Sequence, residues 1–333
     1  MINVDRFFLT SNCYIFPSLN ILGIFISVGF YIVFLNIKFK RETNSRLLYN
    51  YIRLEVLFVT IYLTFSSARS IYFCPNTSLF NTYAASLVYY ISRFLRSAFE
   101  VPSFVFHTLA TLEFYACIAM LKTSSPKYVS FSKINYRIVS LIIFFLYAIA
   151  FSYRLFEIKI IVANLTFNST NSTTIISQVF YKTTKTSFSM TIYFKLWRTI
   201  AIILFDALNV FILIALNILI FIRIRKTLKT KRFMQTTSLR HQNSSGKKST
   251  KIENFEKSVK LMIFLGSWTV FAARIVAYAF LIFDTFFETS KLLDLVLTFF
   301  FLFMHYCDFL IYYVTNNLVR KTYNAYVRKL FNC

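Results

Sequence analysis

Residues 201–222 read AIILFDALNVFILIALNILIFI and run straight into Arg223-Ile224-Arg225-Lys226. As an α-helix this stretch rises about 33 Å, enough to cross about 30 Å of hydrocarbon. Asp206 is its one charge. Inside a bilayer every backbone polar group must be satisfied within the segment, and a helix does that where a lone strand does not. The basic end marks the side that keeps Lys and Arg, which is the cytosolic side. A helix crossing the membrane toward the cytosol is the unit from which the rest of the chain can be read.

Similar apolar runs recur on both sides. Spans are predicted at about 18–37, 47–68, 84–121, 135–156, 194–222, 258–283 and 291–313, which makes the fold an all-α membrane protein, a seven-transmembrane helix bundle. The third is long and carries Arg93, Arg96 and Glu100 near its outer half, so it must tilt steeply or extend past the bilayer. Composition agrees. The chain is 57% hydrophobic, against about 45–50% for soluble domains, and the excess is spread along the whole length. Its net charge of +24 would suggest nucleic acid in a soluble protein. Here the charge lies between apolar runs, so a lipid bilayer and not nucleic acid is the expected partner. Residues 1–17 lack the pattern of a cleavable signal, and the first span is expected to act as the insertion signal.

Lys and Arg counts set the orientation. The segment 38–46 holds Lys38, Lys40, Arg41 and Arg46, and the segment near 122–137 holds Lys122, Lys127, Lys133 and Arg137. Residues 223–260 hold twelve, and the tail adds Arg320, Lys321, Arg328 and Lys329. The other side is sparser, with Arg6, Arg69, Lys291 and a few in the long polar segment 157–193. The amino terminus is therefore expected outside and the tail inside. Sequons at Asn76, Asn164, Asn168 and Asn171 all fall on the outer side, where glycosylation takes place, and Asn243 falls inside. This divides the chain into an outer amino terminus 1–17, a seven-span region 18–316 and a tail 317–333. In the tail Leu318, Val319, Tyr323, Tyr326, Val327, Leu330 and Phe331 recur at helical spacing between basic residues, the pattern of an amphipathic helix lying on an anionic leaflet. The terminal Cys333 is either a palmitoylation site or a plain thiol. The five cysteines show no CxxC spacing, so no metal site is expected.

Three short motifs carry a resemblance. The last span ends Asp308-Phe309-Leu310-Ile311-Tyr312, with Asn316 four residues on and Val319-Arg320 seven and eight on. The second begins Asn50-Tyr51-Ile52-Arg53-Leu54-Glu55, and the third ends Thr111-Leu112-Glu113-Phe114-Tyr115, with Ser103 ten residues before Glu113. Over roughly residues 18–331 the chain resembles the rhodopsin-like (class A) G-protein-coupled receptors. Leu213 to Asn217 and Tyr153-Arg154-Leu155-Phe156-Glu157 resemble segments of invertebrate FMRFamide-type peptide receptors, and nematode chemoreceptors are a second likeness. The departures are concrete. Phe114 stands where the family has Arg, spans five to seven carry Asn209, Arg274 and Phe309 at the usual proline positions, and Trp268 lies a turn before the usual tryptophan. Residues 157–193 contain no Cys, so the family's usual disulfide cannot form. Cys13 and Cys74 both face outward in this topology and can pair instead.

The resemblance implies a set of sites. Glu55, Ser103 and Asp308 are expected to meet in the bundle core, either as a sodium or proton site or as a neutral polar cluster that fixes packing; two close carboxylates do not both ionise cheaply. Arg96 and Glu100, four apart on one helix face, form either the floor of a ligand cavity or an internal ion pair, with Arg274 or Asp206 in reach. Arg198, Tyr278, Asp294 and Thr298 either line the same cavity or anchor span ends. Glu113, Phe114, Tyr115, Arg223, Arg225, Tyr312 and Asn316 are expected to face a cytosolic G protein. With Phe114 lacking a donor, coupling is expected to be weak or unconventional. His107 and His305 read as packed, hydrogen-bonded histidines. The expected function is a plasma-membrane receptor for an extracellular peptide or small chemosensory ligand. A transporter or channel is the alternative, and no paired catalytic motif suggests an intramembrane enzyme.

Overall fold

Helices form where the apolar runs lie, since a run with few breakers satisfies its own backbone only by coiling. The computed structural model describes residues 11–36, 46–72, 83–120, 135–168, 175–238, 261–262, 264–276 and 291–331. A π-helical turn, Ser11–Ile15, leads into α1 (Phe16–Asn36), followed by α2 (Arg46–Tyr72), α3 (Tyr83–Met120) and α4 (Tyr136–Ala150). A one-turn helix Tyr153–Glu157 precedes the strands β1 (Ile158–Asn168) and β2 (Ile175–Lys185). Helix α5 runs Ile192–Ala201, loosens to a π-helix over Ile202–Ala207 and continues Leu208–Ser238. Then come α6 (Phe264–Val276), α7 (Lys291–Thr315) and α8 (Asn317–Phe331).

Among the described residues, four helices are long and apolar enough to cross a membrane: Cys13–Asn36, Leu48–Ala68, Tyr136–Glu157 and Ile192–Arg223. These match the first, second, fourth and fifth predicted spans. Helix α6 is shorter but apolar, and most of the rest of predicted span 258–283 lies outside the described residues. Helix α3 has 38 residues, about 57 Å at 1.5 Å per residue, so it exceeds a bilayer's hydrocarbon as expected. Pro102 sits in its interior, where it removes one intrahelical hydrogen bond.

Helical structure is already present at Ser11, the first described residue, seven residues before the predicted edge. Pro17 falls where the π-helical turn passes into α1, so its missing N–H coincides with the change in hydrogen-bond spacing. The larger surprise is the segment predicted only as a polar loop. β1 and β2 pair antiparallel from Ile158 opposite Lys185 to Asn168 opposite Ile175. The sequence of β1 opens with β-branched residues, Ile158, Ile160, Ile161 and Val162, a composition that suits a strand.

Large apolar side chains cover much of the surface, and a set of polar side chains is buried among the core residues. Ile138, Leu141, Ile142, Phe145, Leu146 and Ile149 all lie exposed on α4. Ser27, Asn50, Glu55, Ser66, His107, Thr111, Ser267 and Asp308 are buried. An apolar face this extensive is costly in water and ordinary in lipid. The main core joins α1, α2, α3, α7 and α8 through Phe30, Phe34, Tyr49, Ile52, Phe106, Phe309, Tyr312 and Val319. A second core joins α3, α4 and α5 through Val101, Tyr147, Tyr153 and Phe194. Helix α8 docks on α1 where Gly29 makes room: a Cβ there would stand 3.3 Å from the Tyr323 ring, and Phe30 stacks on Tyr323 at 5.1 Å. Its Arg320, Lys321, Arg328 and Lys329 stay exposed.

Candidate functional site: a buried carboxylate hub

Ser103, His107 and Thr111 are spaced four apart, so α3 presents them on one face. Asp308 and Tyr312 do the same on α7. These faces converge with Glu55 of α2 and with Ser267 and Thr269 of α6. His107 Nδ1 stands 3.1 Å from Glu55 Oε1, and the Tyr312 hydroxyl donates to Glu55 Oε2 at 2.8 Å. A carboxylate only accepts, so Nδ1 carries the hydrogen. The other ring nitrogen, Nε2, faces Ser267 Oγ at 3.4 Å, and Thr111 Oγ1 lies 3.3 Å from the same hydroxyl. Thr269 donates to Asp308 Oδ1 at 2.7 Å. Glu55, His107 and Asp308 are all nearly inaccessible, and Asp308 lies in the electrostatic field of both Glu55 and His107.

One glycine admits this arrangement. A Cβ on Gly266 would stand 2.9 Å from His107 Cε1, closer than packed carbon atoms approach, so the imidazole occupies the space a side chain on α6 would take.

Glu55 and Asp308 lie in each other's electrostatic field, each held by its own partners: His107 and Tyr312 on Glu55, Thr269 on Asp308. Each oxygen of Glu55 has a partner, His107 on Oε1 and Tyr312 on Oε2. Among the described residues no group of three or more His, Cys, Asp or Glu is arranged to hold a metal ion. Ser103 does not join the carboxylates: its hydroxyl bonds back to the Glu100 carbonyl at 2.6 Å. His107, expected only as a packed and hydrogen-bonded histidine, is the partner of Glu55. Its spacing from Ser103 and Thr111 was the available signal.

Toward the basic end of α5 the hub continues into a second set of contacts. Asn316 donates to the Tyr49 hydroxyl at 3.0 Å and accepts from the Val319 backbone N–H at 3.3 Å, tying α2, α7 and α8 together. Arg53 Nε donates to the Phe34 carbonyl at 2.6 Å and its Nη1 to Asn50 Oδ1 at 3.2 Å, closing the end of α1. Most residues expected to face a cytosolic partner are packed inside. Phe114 is 5% exposed within the main core, and Glu113, Tyr312 and Asn316 are equally buried. Tyr115 and Arg223 are half-buried, and Arg225 is exposed.

At the hairpin end a different chemistry appears. Glu157 pairs with Arg93 at 2.7 Å and with Arg154 at 2.9 Å, and Arg198 adds to the positive field around it. Tyr90 donates to the Leu155 carbonyl, and the Thr186 N–H bonds the Glu157 carbonyl at 3.1 Å, fastening the hairpin to the helices. Between this end and the hub, Arg96 reaches the Tyr62 hydroxyl at 3.3 Å and Arg274 lies 3.7 Å from the centre of the Phe104 ring. His305 sits between Tyr62 and Phe104, at 5.2 and 6.0 Å, within the field of Glu100. Glu157, Arg93, Phe104 and Tyr62 were not among the predicted site residues. Of those that were, Tyr278, Asn76, Asn171 and Cys74 lie outside the described residues, as do the side chains of Asp294, Thr298, Asn164, Asn168 and Asp206. Cys13 is disulfide-bonded, to a partner outside the described side chains, and Cys307 is a free thiol. Compared with known proteins, the chain matches no family model and no curated protein.

Proposed function

We propose that this chain is a seven-helix receptor of the rhodopsin-like G-protein-coupled kind, placed in the plasma membrane with its hairpin end outside. The observation that carries the reading is the hub. Glu55, His107, Ser267, Thr269, Asp308 and Tyr312 join α2, α3, α6 and α7 by side-chain bonds alone. Helices held together this way can exchange one set of partners for another without losing their own backbone bonds. A ligand at the outer end then shifts the balance if it binds the two arrangements unequally. Ionisable groups at membrane depth are also costly enough to suggest a use.

The outer end offers suitable chemistry for a ligand. Arg93, Arg96, Glu100, Arg154, Glu157, Arg198 and Arg274 supply charge, and Tyr62 and Phe104 supply aromatic faces. Both strands of the hairpin are edge strands, and an extended peptide can pair with an edge. We therefore favour a peptide over a small chemosensory molecule. At the inner end Tyr115, Arg223 and Arg225 are the residues available to a G protein.

The experiment is a cell-based screen of the full chain against amidated peptides, reading G-protein activation. A responding peptide whose potency falls with Glu157→Gln supports the reading. A second reading, a proton-coupled transporter, draws on the same hub, because Glu55, His107 and Asp308 form a chain of titratable groups in mid-membrane. Peptide-independent substrate flux in vesicles would favour that reading and sink the first. Orientation is checked separately: glycosidase treatment should shift the gel mobility of the mature protein through Asn164, Asn168 or Asn171, and a glycan on Asn243 would reverse the topology.

A further inference from the structure

The hairpin carries charge of one sign. From residue 158 to residue 185 the sequence holds Lys159, Lys182 and Lys185 and no acidic residue. Lys159 and Lys185 are exposed. The register sets Ile158 opposite Lys185 and Lys159 opposite Thr184, so these two lysines lie one position apart at the base of the ribbon. Just below, Glu157 is already held by Arg93 at 2.7 Å and Arg154 at 2.9 Å, in the field of Arg198. The two edges of the ribbon are not alike. Strand β1 contains the sequons at Asn164 and Asn168, and Asn171 lies between the strands. Strand β2 contains no sequon and no proline, and it carries Lys182 and Lys185. Among the described residues the sheet has only these two strands, and alternate residues of β2 turn their N–H and C=O away from β1. That edge is a template for a further strand.

We propose that an acidic peptide in extended conformation binds as a third strand along the free edge of β2, its carboxylates set beside Lys182 and Lys185. The inference rests on the reading that the hairpin end is outside and takes a peptide. It adds the charge of that peptide and the edge it uses. Main-chain bonds along an edge are nearly blind to sequence, so the choice among peptides falls to charge. An Asp or Glu beside a lysine is favoured, and a Lys or Arg there is disfavoured. The same rule works against a second copy of this hairpin, which would set lysine against lysine. A glycan on Asn164 or Asn168 would encumber β1 and leave the β2 edge open.

The probe is a phage-displayed library of random decapeptides. It is panned on the full chain in phosphatidylcholine nanodiscs, after subtraction on empty nanodiscs. The recovered peptides should be richer in Asp and Glu than the input library by roughly twofold. A recovered peptide, synthesised, should bind the Lys182→Glu, Lys185→Glu double variant about tenfold more weakly. Lys182→Gln with Lys185→Gln, which only neutralises, should weaken it less. N-methylation of one alternate set of the peptide's amides should abolish binding and of the other set should not, since one set alone faces β2. Recovery of neutral or basic peptides would overturn the proposal, as would equal effects of the two N-methylated sets or unchanged binding to the Glu double variant. Dextran sulfate bound tightly with no peptide recovered would assign the hairpin to a sulfated polysaccharide instead. G-protein activation by a peptide without acidic residues would overturn this inference and leave the receptor reading standing. Acidic peptides that bind the β2 edge but activate no G protein would do the reverse.

Discussion

The hub and the hairpin end handle buried charge in opposite ways. In the hub, Glu55 and Asp308 are held by short, stiff side chains: His107, Tyr312 and Thr269, each rooted on a different helix or turn. At the hairpin end, Glu157 is held by two arginines that are still 23–25% exposed, and Arg274 rests on a ring face. Stiff donors fix distances between helices, so the hub tolerates few intermediate arrangements. Long arginine side chains keep their charge while moving, and their contact with aromatic faces is less demanding of geometry. The two ends differ accordingly: one is built to hold a position, and the other can adapt to a bound group.

That contrast is sharpest at Glu55. Replacing it with Ala leaves His107 and Tyr312 buried without their acceptor, and breaking a buried pair from one side costs about 3–5 kcal/mol. Thermal unfolding in detergent should show a large drop for Glu55→Ala and a smaller one for Glu55→Gln, which still accepts from Tyr312. Equal stability of wild type and Glu55→Ala would remove the hub from the account of the fold.

Gly266→Ala is expected to cost about 1–3 kcal/mol, the usual price of overpacking. The loss should largely vanish in a His107→Ala background, because the added methyl then has space. A double-mutant cycle measures this directly, and additive effects would mean that Gly266 does not serve the imidazole.

Glu157→Gln is the corresponding change at the hairpin end. Its partners reach solvent, so the loss of stability should stay within about 1 kcal/mol. If it proved as damaging as Glu55→Ala, the two ends would not differ in the way described.

The smallest effect expected is none. With His107 and Tyr312 on both Glu55 oxygens, exchanging sodium for potassium at constant ionic strength should leave the unfolding temperature of the wild type unchanged. A sodium-specific rise would mean that the ion displaces His107.

Part of the site was legible in sequence. Asp308, Tyr312, Asn316 and Glu55 are marked by motif spacing, and the structure puts Asp308, Tyr312 and Glu55 in the hub and Asn316 beside it. His107, Ser267 and Thr269 were missed as members because a lone polar residue in an apolar helix has no partner until another helix supplies one. Phe114 shows the reverse error. Its place after Glu113 suggested a surface facing a partner, yet it packs in the main core. Phe114→Arg would therefore bury a charge and should lower expression before it reports on coupling.

Sequence alone determined that the chain is largely helical and carries segments long and apolar enough to cross a membrane. Length and apolarity of a single segment decide that, because each helix satisfies its own backbone whatever surrounds it. It also marked the basic ends and the residues worth watching in α2, α3 and α7. Tertiary structure decided which of those residues meet. The pairing of His107 with Glu55 across 52 residues and of Tyr312 with Glu55 across 257 depends on how four helices rotate about their axes. That rotation is set by packing, down to the absence of a Cβ at Gly266, and no local pattern encodes it.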